Sequence, residues 1–391
     1  MKRKFMFSAV VILIVSVGII TLAIYHEKTY EYYTGAFVTS FESPVALVDG
    51  TVIYNTNDPG NDIDYSEKEY YRKYFDGRDD VKLGTMYNFR ISAGYNARID
   101  NTLYFYSGVV NETGEIDNNF NNNLYGIDLT ENTMRVVYTD NNVRPIVYVY
   151  PYMNKVLALK TMPAADNASS SFLELYDPKT GSIKTVLTHT SKSADKTGSR
   201  ILTCFPNDEK VYTFVTEYNA EGEQEATVRV YNQEFQCIQT ISFDKDLMNY
   251  ILGSRPHQIA VFGDYIYLDN LSNYSLVGKI ENDTVTPVVQ ARSLEVAVNR
   301  DTDGRILNTQ VFYIRYTNTY YILDIEKGTF TEKEYDQPFE NHTLLYAMAN
   351  SDKIIIYSWI YELDENTAYS REEASAAHDG RYVFCNIKSL K

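Results

Sequence analysis

A polar turn followed by an aromatic-rich strand recurs seven times along this 391-residue chain, and no other feature narrows the fold so far. The first four copies read Asp49-Gly50-Thr51-Val52-Ile53-Tyr54, Asp100-Asn101-Thr102-Leu103-Tyr104-Phe105, Asn154-Lys155-Val156-Leu157-Ala158-Leu159 and Asp208-Glu209-Lys210-Val211-Tyr212-Thr213. The last three read Gly263-Asp264-Tyr265-Ile266-Tyr267-Leu268, Asn308-Thr309-Gln310-Val311-Phe312-Tyr313 and Asp352-Lys353-Ile354-Ile355-Ile356-Tyr357. Successive copies start 51, 54, 54, 55, 45 and 44 residues apart. Asp-Gly and Asp-Asn pairs accept the positive φ that two-residue hairpin turns require. A second hairpin follows in most units, over residues 124–137, 172–187, 228–242, 274–289 and 320–335, with Asp177-Pro178-Lys179-Thr180-Gly181 and Lys327-Gly328 at two of the bends.

Two hairpins per unit make a four-stranded antiparallel sheet, and repeats of about 40–50 residues suit sheets arranged radially. A β-sandwich would not reproduce the same hairpin grammar seven times. The expected fold class is all-β: a single β-propeller of about seven four-stranded blades. Six or eight blades are the alternatives, because the first unit is irregular. There Ser66-Glu67-Lys68-Glu69 reads as a capping box, and Tyr70, Tyr71, Tyr74 and Phe75 keep helical spacing, so helix and strand both stay open. Ser370-Arg371-Glu372-Glu373, an alanine-rich stretch and Gly380 suggest a similar helical interruption in the last unit.

The chain holds 36 Tyr and 18 Phe beside one Trp, side chains that pack well across a pleated surface. Tyr104, Tyr212, Tyr267, Phe312 and Trp359, in or at the end of second strands, are expected to be structural. The 36 basic residues against 52 acidic ones leave a net charge of −16, which argues against nucleic acid as a partner.

Lys2-Arg3-Lys4 precedes an uncharged stretch over residues 5–24. At about 1.5 Å per residue such a helix spans roughly 30 Å, the hydrocarbon thickness of a bilayer. The expected organisation is therefore a cytoplasmic start and transmembrane signal-anchor over 1–25, then an extracellular propeller over 26–391, single-pass in the cell membrane. The competing reading is a cleaved signal peptide, but its apolar core is usually shorter, and Thr21-Leu22-Ala23 is a poor cleavage site. Cys204, Cys237 and Cys385 are odd in number and widely spaced, so they build no disulfide framework or zinc pattern. An exported chain so poor in cysteine fits a bacterial surface.

Leu124-Tyr125-Gly126-Ile127-Asp128-Leu129 and Tyr321-Ile322-Leu323-Asp324-Ile325 resemble the outer-strand pattern of bacterial cell-surface propellers. They are also similar to YWTD-type propellers, to whose core Ile266-Tyr267-Leu268-Asp269 comes nearest. The resemblance spans roughly residues 30–391 and implies a fold and a binding tendency rather than a reaction.

No residue is assigned a catalytic, cofactor-binding or metal role. His26, His189, His257, His342 and His378 are isolated, and neither G-x-S-x-G nor a P-loop occurs. Calcium is the one cofactor the sequence raises: Asp301-Thr302-Asp303-Gly304 resembles half a calcium loop, and Asp58, Asp62 and Asp64 gather three carboxylates. Neither stretch has the full spacing, and solvated turns are the plainer reading. The Asn-rich stretch 111–123 reads as a surface loop, with a carbohydrate-facing role as the sharper alternative.

The expected function is a non-enzymatic binding module, presenting a protein or glycan partner with the face that carries the long loops. Those loops are the second-strand connections 56–67, 108–123, 162–171, 217–226 and 359–381, with the crossovers 188–199 and 244–257. A carbohydrate-active enzyme, glycosidase or lyase, and an assembly factor for exported proteins are the other two classes. The last unit shows three strands, at 344–349, 353–358 and 381–387, and residues 30–40 offer the fourth by pairing with 381–387. That clasp would put the short-turn face near the bilayer and the long-loop face away from it.

Overall fold

The computed structural model describes residues 30–32, 42–56, 67–87, 96–107, 122–140, 146–163, 168–254, 258–269, 274–315, 317–334, 342–351, 353–360 and 380–386. Among them are 28 strands and one α-helix. Strand β1 (Tyr30–Tyr32) comes first. Strands β2 (Glu42–Val48), β3 (Thr51–Thr56), β4 (Glu67–Lys73) and β5 (Val81–Tyr87) form one antiparallel sheet in sequence order. Strands β6 (Ala97–Ile99), β7 (Thr102–Ser107), β8 (Asn122–Asp128) and β9 (Thr133–Asp140) form the next.

A third unit holds β10 (Ile146–Tyr152), β11 (Lys155–Pro163), β12 (Ala168–Asp177) and β13 (Ser182–Lys192). The fourth holds β14 (Thr197–Asn207), β15 (Lys210–Tyr218), β16 (Gln224–Tyr231) and β17 (Cys237–Phe243), followed by helix α1 (Lys245–Ser254). The fifth holds β18 (Gln258–Phe262), β19 (Tyr265–Asp269), β20 (Tyr274–Glu281) and β21 (Thr284–Arg292). These three are stitched into one twelve-stranded sheet. Strand β13 meets β14 at Ser191↔Gly198 and Lys192↔Thr197, and β17 meets β21 in parallel at Ser242↔Thr284 and Phe243↔Val285. Gly198 suits its seam: φ is 80°, and a Cβ would lie 2.1 Å from the Thr190 carbonyl oxygen.

The sixth sheet is β22 (Leu294–Ala297), β23 (Thr309–Ile314), β24 (Thr319–Asp324) and β25 (Thr329–Glu334). The last comprises β26 (His342–Asn350), β27 (Lys353–Ile360) and β28 (Gly380–Asn386), with β1 paired to β28 at its edge. The chain is thus almost entirely β, and four-stranded antiparallel units recur throughout its described residues.

The recurring turns do what their composition dictates. Asp49 and Gly50, Met153 and Asn154, and Asn282 and Asp283 are consecutive residues at positive φ, as a type I′ hairpin needs. At third-to-fourth turns an aspartate caps the bend. Asp128 Oδ1 accepts from the Thr130 and Glu131 amides, Asp177 Oδ1 from Lys179, and Asp324 Oδ1 from Lys327, at 2.8–3.1 Å.

Packing between units explains the preference for Tyr. The Tyr152, Tyr265 and Tyr267 hydroxyls donate to the carbonyls of Glu209, Gly328 and Leu294, each in the following unit, at 3.1, 2.9 and 2.8 Å. The ring buries area while the hydroxyl ties the neighbour's backbone. An aromatic chain runs from Tyr150 through Phe205, Phe262 and Phe312 to Phe330, with edge-to-face centroid distances of 5.4–6.2 Å. Tyr104, Tyr267 and Phe312 are buried and Tyr212 half-buried. Asparagines do the same between first strands: Asn207 Nδ2 donates to Val261 O at 2.8 Å, and Asn350 Nδ2 returns to Leu47 O of the first unit at 3.2 Å.

Several expectations change. The segment after Ser66 is strand β4, not a helix, because Tyr70 and Tyr71 are needed on opposite faces. Tyr70 is fully buried, while Tyr71 stacks on Tyr54 at 5.6 Å. The connections at 162–171, 188–199 and 217–226 are shorter than expected, since β11 to β16 run on into them. The crossover 244–257 contains helix α1, started by Asp244, whose Oδ1 accepts the Leu247 amide at 2.8 Å. The basic start and apolar run at 1–25, the acidic turn 58–64, and most of the Asn-rich stretch and of 359–381 lie outside the described residues. No helix among the described residues is long and apolar enough to cross a membrane.

The β1–β28 register is Tyr30↔Cys385, Glu31↔Phe384 and Tyr32↔Val383. Antiparallel neighbours have Cα atoms about 4.5–5.5 Å apart, within disulfide reach. Tyr30→Cys should therefore oxidise onto the native Cys385, read as a band shift on non-reducing electrophoresis. A chain starting at Phe41, which keeps β2, should also melt below one starting at Glu27; equal melting with no crosslink would refute the pairing.

Candidate functional site

The antiparallel order sorts the connections onto two faces. First-to-second and third-to-fourth turns share one; second-to-third loops and crossovers share the other. On that second face lies a polar cleft of about 100 Å³ between the third and fourth units. It is lined by Ser169 and Ser191 from β12 and β13, Arg200 from β14, Thr216 and Tyr218 from β15, and Gln224 from β16. Phe214 and, from the helix, Ile251 and Leu252 supply an apolar wall. Four of the expected long connections, 162–171, 188–199, 217–226 and 244–257, contribute residues to it.

Each wall is fixed from behind. Ser171 Oγ accepts the Ile201 amide at 2.8 Å, and Ser170 and Thr190 share a hydroxyl bond of 3.0 Å. The helix is held by Leu247 and Ile251 in the core, and the Ala226 amide points at Met248 Sδ at 3.1 Å. His189 Nδ1 lies 2.8 Å from Ser199 Oγ beside the seam, and burial, then the Arg229 charge, pushes its pKa down. Arg229 is itself bound to Glu217 at 2.5 Å. His189 is thus a structural partner at the cleft's edge.

The same face carries a second polar group between the fifth and sixth units. Tyr313 donates to Glu295 Oε2 at 2.6 Å and Arg315 Nη1 to Oε1 at 3.1 Å, while Ser275 donates to Asp269 at 2.9 Å. Burial raises the Glu295 pKa despite Arg315, and the Asp269 charge acts in the same direction.

The first strands converge on a separate cavity of about 100 Å³. Val45 to Leu47, Arg98, Tyr150, Phe205, Gln258, Ala297 and Ala347 to Asn350 line it, so every one of β2, β6, β10, β14, β18, β22 and β26 contributes. Arg98 is clamped by Asp49 through bonds of 2.6 and 3.0 Å. Asp301, of the half calcium loop, spends Oδ1 on the Asp303 and Arg305 amides at 2.9 Å each, which makes the segment a hydrogen-bonded turn. The described residues contain no cluster of three His, Cys, Asp or Glu fit to hold a metal.

Sequence reasoning pointed to the face but to none of the cleft's side chains. Ser, Thr and Gln on strand ends carry no spacing signal, and the helix went unread. Asp244-Lys245-Asp246 ahead of Leu247, Met248, Ile251 and Leu252 was a usable signal.

No family model and no curated protein matches the chain. Solved structures resemble it at low identity. The β-propeller domain of the Trilobed protease from Pyrococcus furiosus aligns at 10% identity and a TM-score of 0.47, over 81% of this chain and 91% of that one. The acylaminoacyl peptidase of Pyrococcus horikoshii aligns at 11% and 0.43, over 68% of this chain and 44% of its own. PorZ, a surface component of the type-IX secretion system of Porphyromonas gingivalis, aligns at 10% and 0.43, over 87% and 39%. The chain thus spans less than half the length of the last two.

Proposed function

We propose that the chain is a seven-bladed β-propeller, tethered outside the cell membrane by residues 1–25, that binds a glycan without chemically altering it. The blade count draws on the seven first strands that share one cavity. The binding role draws on a single observation: four connections of one face converge on a cleft of hydroxyls, an amide, a guanidinium and a tyrosine ring. Carbohydrates present alternating hydroxyls and C–H faces, and such a mixture of donors, acceptors and aromatic surface matches both. Tyr30–Tyr32 as the outer strand of the last blade would leave the cleft facing away from the bilayer.

The test is retention on immobilised bacterial surface polysaccharides. The wild type should be retained, and Tyr218→Ala and Gln224→Ala should lose at least about tenfold in affinity, consistent with roughly 1.4 kcal/mol per decade, while melting as the wild type does. Retention equal to the wild type in both variants would remove the cleft from the reading. The second reading, a carbohydrate-active enzyme, draws on Glu295, whose half-buried carboxyl holds its proton to higher pH than a fully exposed one. Reducing ends released in the same incubation, and absent with Glu295→Gln, would favour it.

A further inference from the structure

Arg300 lines the cavity between the first strands and forms no ion pair among the described residues. Arg300 Nη1 donates to Gly304 O at 2.7 Å and Nη2 to Pro206 O at 3.0 Å, and the guanidinium lies 5.0 Å from the Phe205 ring centroid. Two of its five N–H groups are used in these bonds. Asp208 and Asp301 are near enough to act on its charge, but neither forms an ion pair with it among the described residues. Asp301 turns Oδ1 to backbone amides instead. Arg98, the other guanidinium on the wall, is by contrast matched by both oxygens of Asp49. Arg300 is half-buried, and loss of solvent pulls its pKa down to about 10.

We propose that Arg300 and the space beside it form a binding site for a single oxyanion group: phosphate, sulfate or carboxylate. The cavity, of about 100 Å³, has room for one such group. The guanidinium's remaining donors can take two oxygens in the forked geometry that carboxylates and phosphates share. Val296, Ala297, Ala347 and Met348 on the same wall lower the local dielectric and so strengthen that contact. The site lies on the common axis of the first strands, apart from the cleft, and stands whether or not a glycan binds there.

Inorganic phosphate, sulfate and acetate should be titrated separately into the folded chain at constant ionic strength, with chloride as reference, by calorimetry and melting. At least one should bind saturably, and the melting temperature should rise with its concentration as mass action requires. Arg300→Met should melt below the wild type in chloride, because the bonds to Pro206 O and Gly304 O are lost, and should no longer respond to the anion beyond the general salt effect. Arg300→Lys keeps the charge without the fork and should bind at least about tenfold more weakly; it decides the matter should Arg300→Met fail to fold. Phosphate or sulfate binding without acetate would assign the site to free tetrahedral ions, and acetate binding alone to carboxylate groups carried by a partner. No saturable binding of any of the three, or an unchanged response in the variants, overturns the site.

Discussion

Lys160→Met should cost the fold about 3–5 kcal/mol, the range for stranding one partner of a buried ion pair. Lys160 Nζ lies 2.6 Å from Glu174 Oε2, and their side chains are only 1% and 6% exposed. Lys160 sits on β11 and Glu174 on β12, facing the second unit, whose Tyr138 ring lies 5.1 Å from the ammonium. Thr185 donates to the other Glu174 oxygen at 3.2 Å. Removing the lysine takes the cation away from a buried carboxylate, and Glu174→Leu should be comparably harmful. The double variant should recover most of the loss, because two apolar groups of similar volume need no compensation. Denaturant unfolding of the four proteins measures the coupling. A double variant as unstable as the sum of the singles would show that the pair is not the cause.

Phe312→Ala should cost a similar amount, about 3–5 kcal/mol for an aromatic removed from a core. Phe312 is fully buried and touches Phe262, Tyr267 and Phe330 at centroid distances of 6.0, 6.0 and 5.4 Å, so its loss breaks the aromatic chain at the joint between the fifth and sixth units. Tyr267→Phe beside it keeps the ring and removes only the bond to Leu294 O, with about 0.5–1.5 kcal/mol expected. Chemical denaturation separates the two. A Phe312→Ala midpoint within error of wild type would mean that the joint carries little load.

The fold was legible because its signals are local. Asp-Gly, Asp-Pro-Lys-Thr-Gly and Lys-Gly turns fix hairpins within a few residues, and Tyr or Phe at alternate positions fixes the buried face. The Asp of Leu124-Tyr125-Gly126-Ile127-Asp128 and of Tyr321-Ile322-Leu323-Asp324 is a turn cap by geometry. Strand ends were less legible. Residues 188–192 continue β13 because residues 168–172 of β12 pair with all five of them, a match that no short window of sequence contains. The cleft was illegible for the same reason: Ser169, Arg200 and Gln224 come from three strands and meet only through packing. Arg300 gave no signal at all, since what distinguishes it from Arg98 is the position of one carboxylate.

The stitched twelve strands determine how the molecule fails. Ladder pairing links the third, fourth and fifth units, whereas among the described residues the last unit bonds to the first at Asn350–Leu47 and holds β1 by three residue pairs. Under heat or a pull on the N-terminus, the break should begin at a join without a ladder, such as the one between the last and first units, and leave the twelve-strand arc whole. The polar cleft lies inside the arc, across its β13–β14 seam. A molecule that has sprung open there would therefore keep the cleft whole, whatever the state of its first and last units.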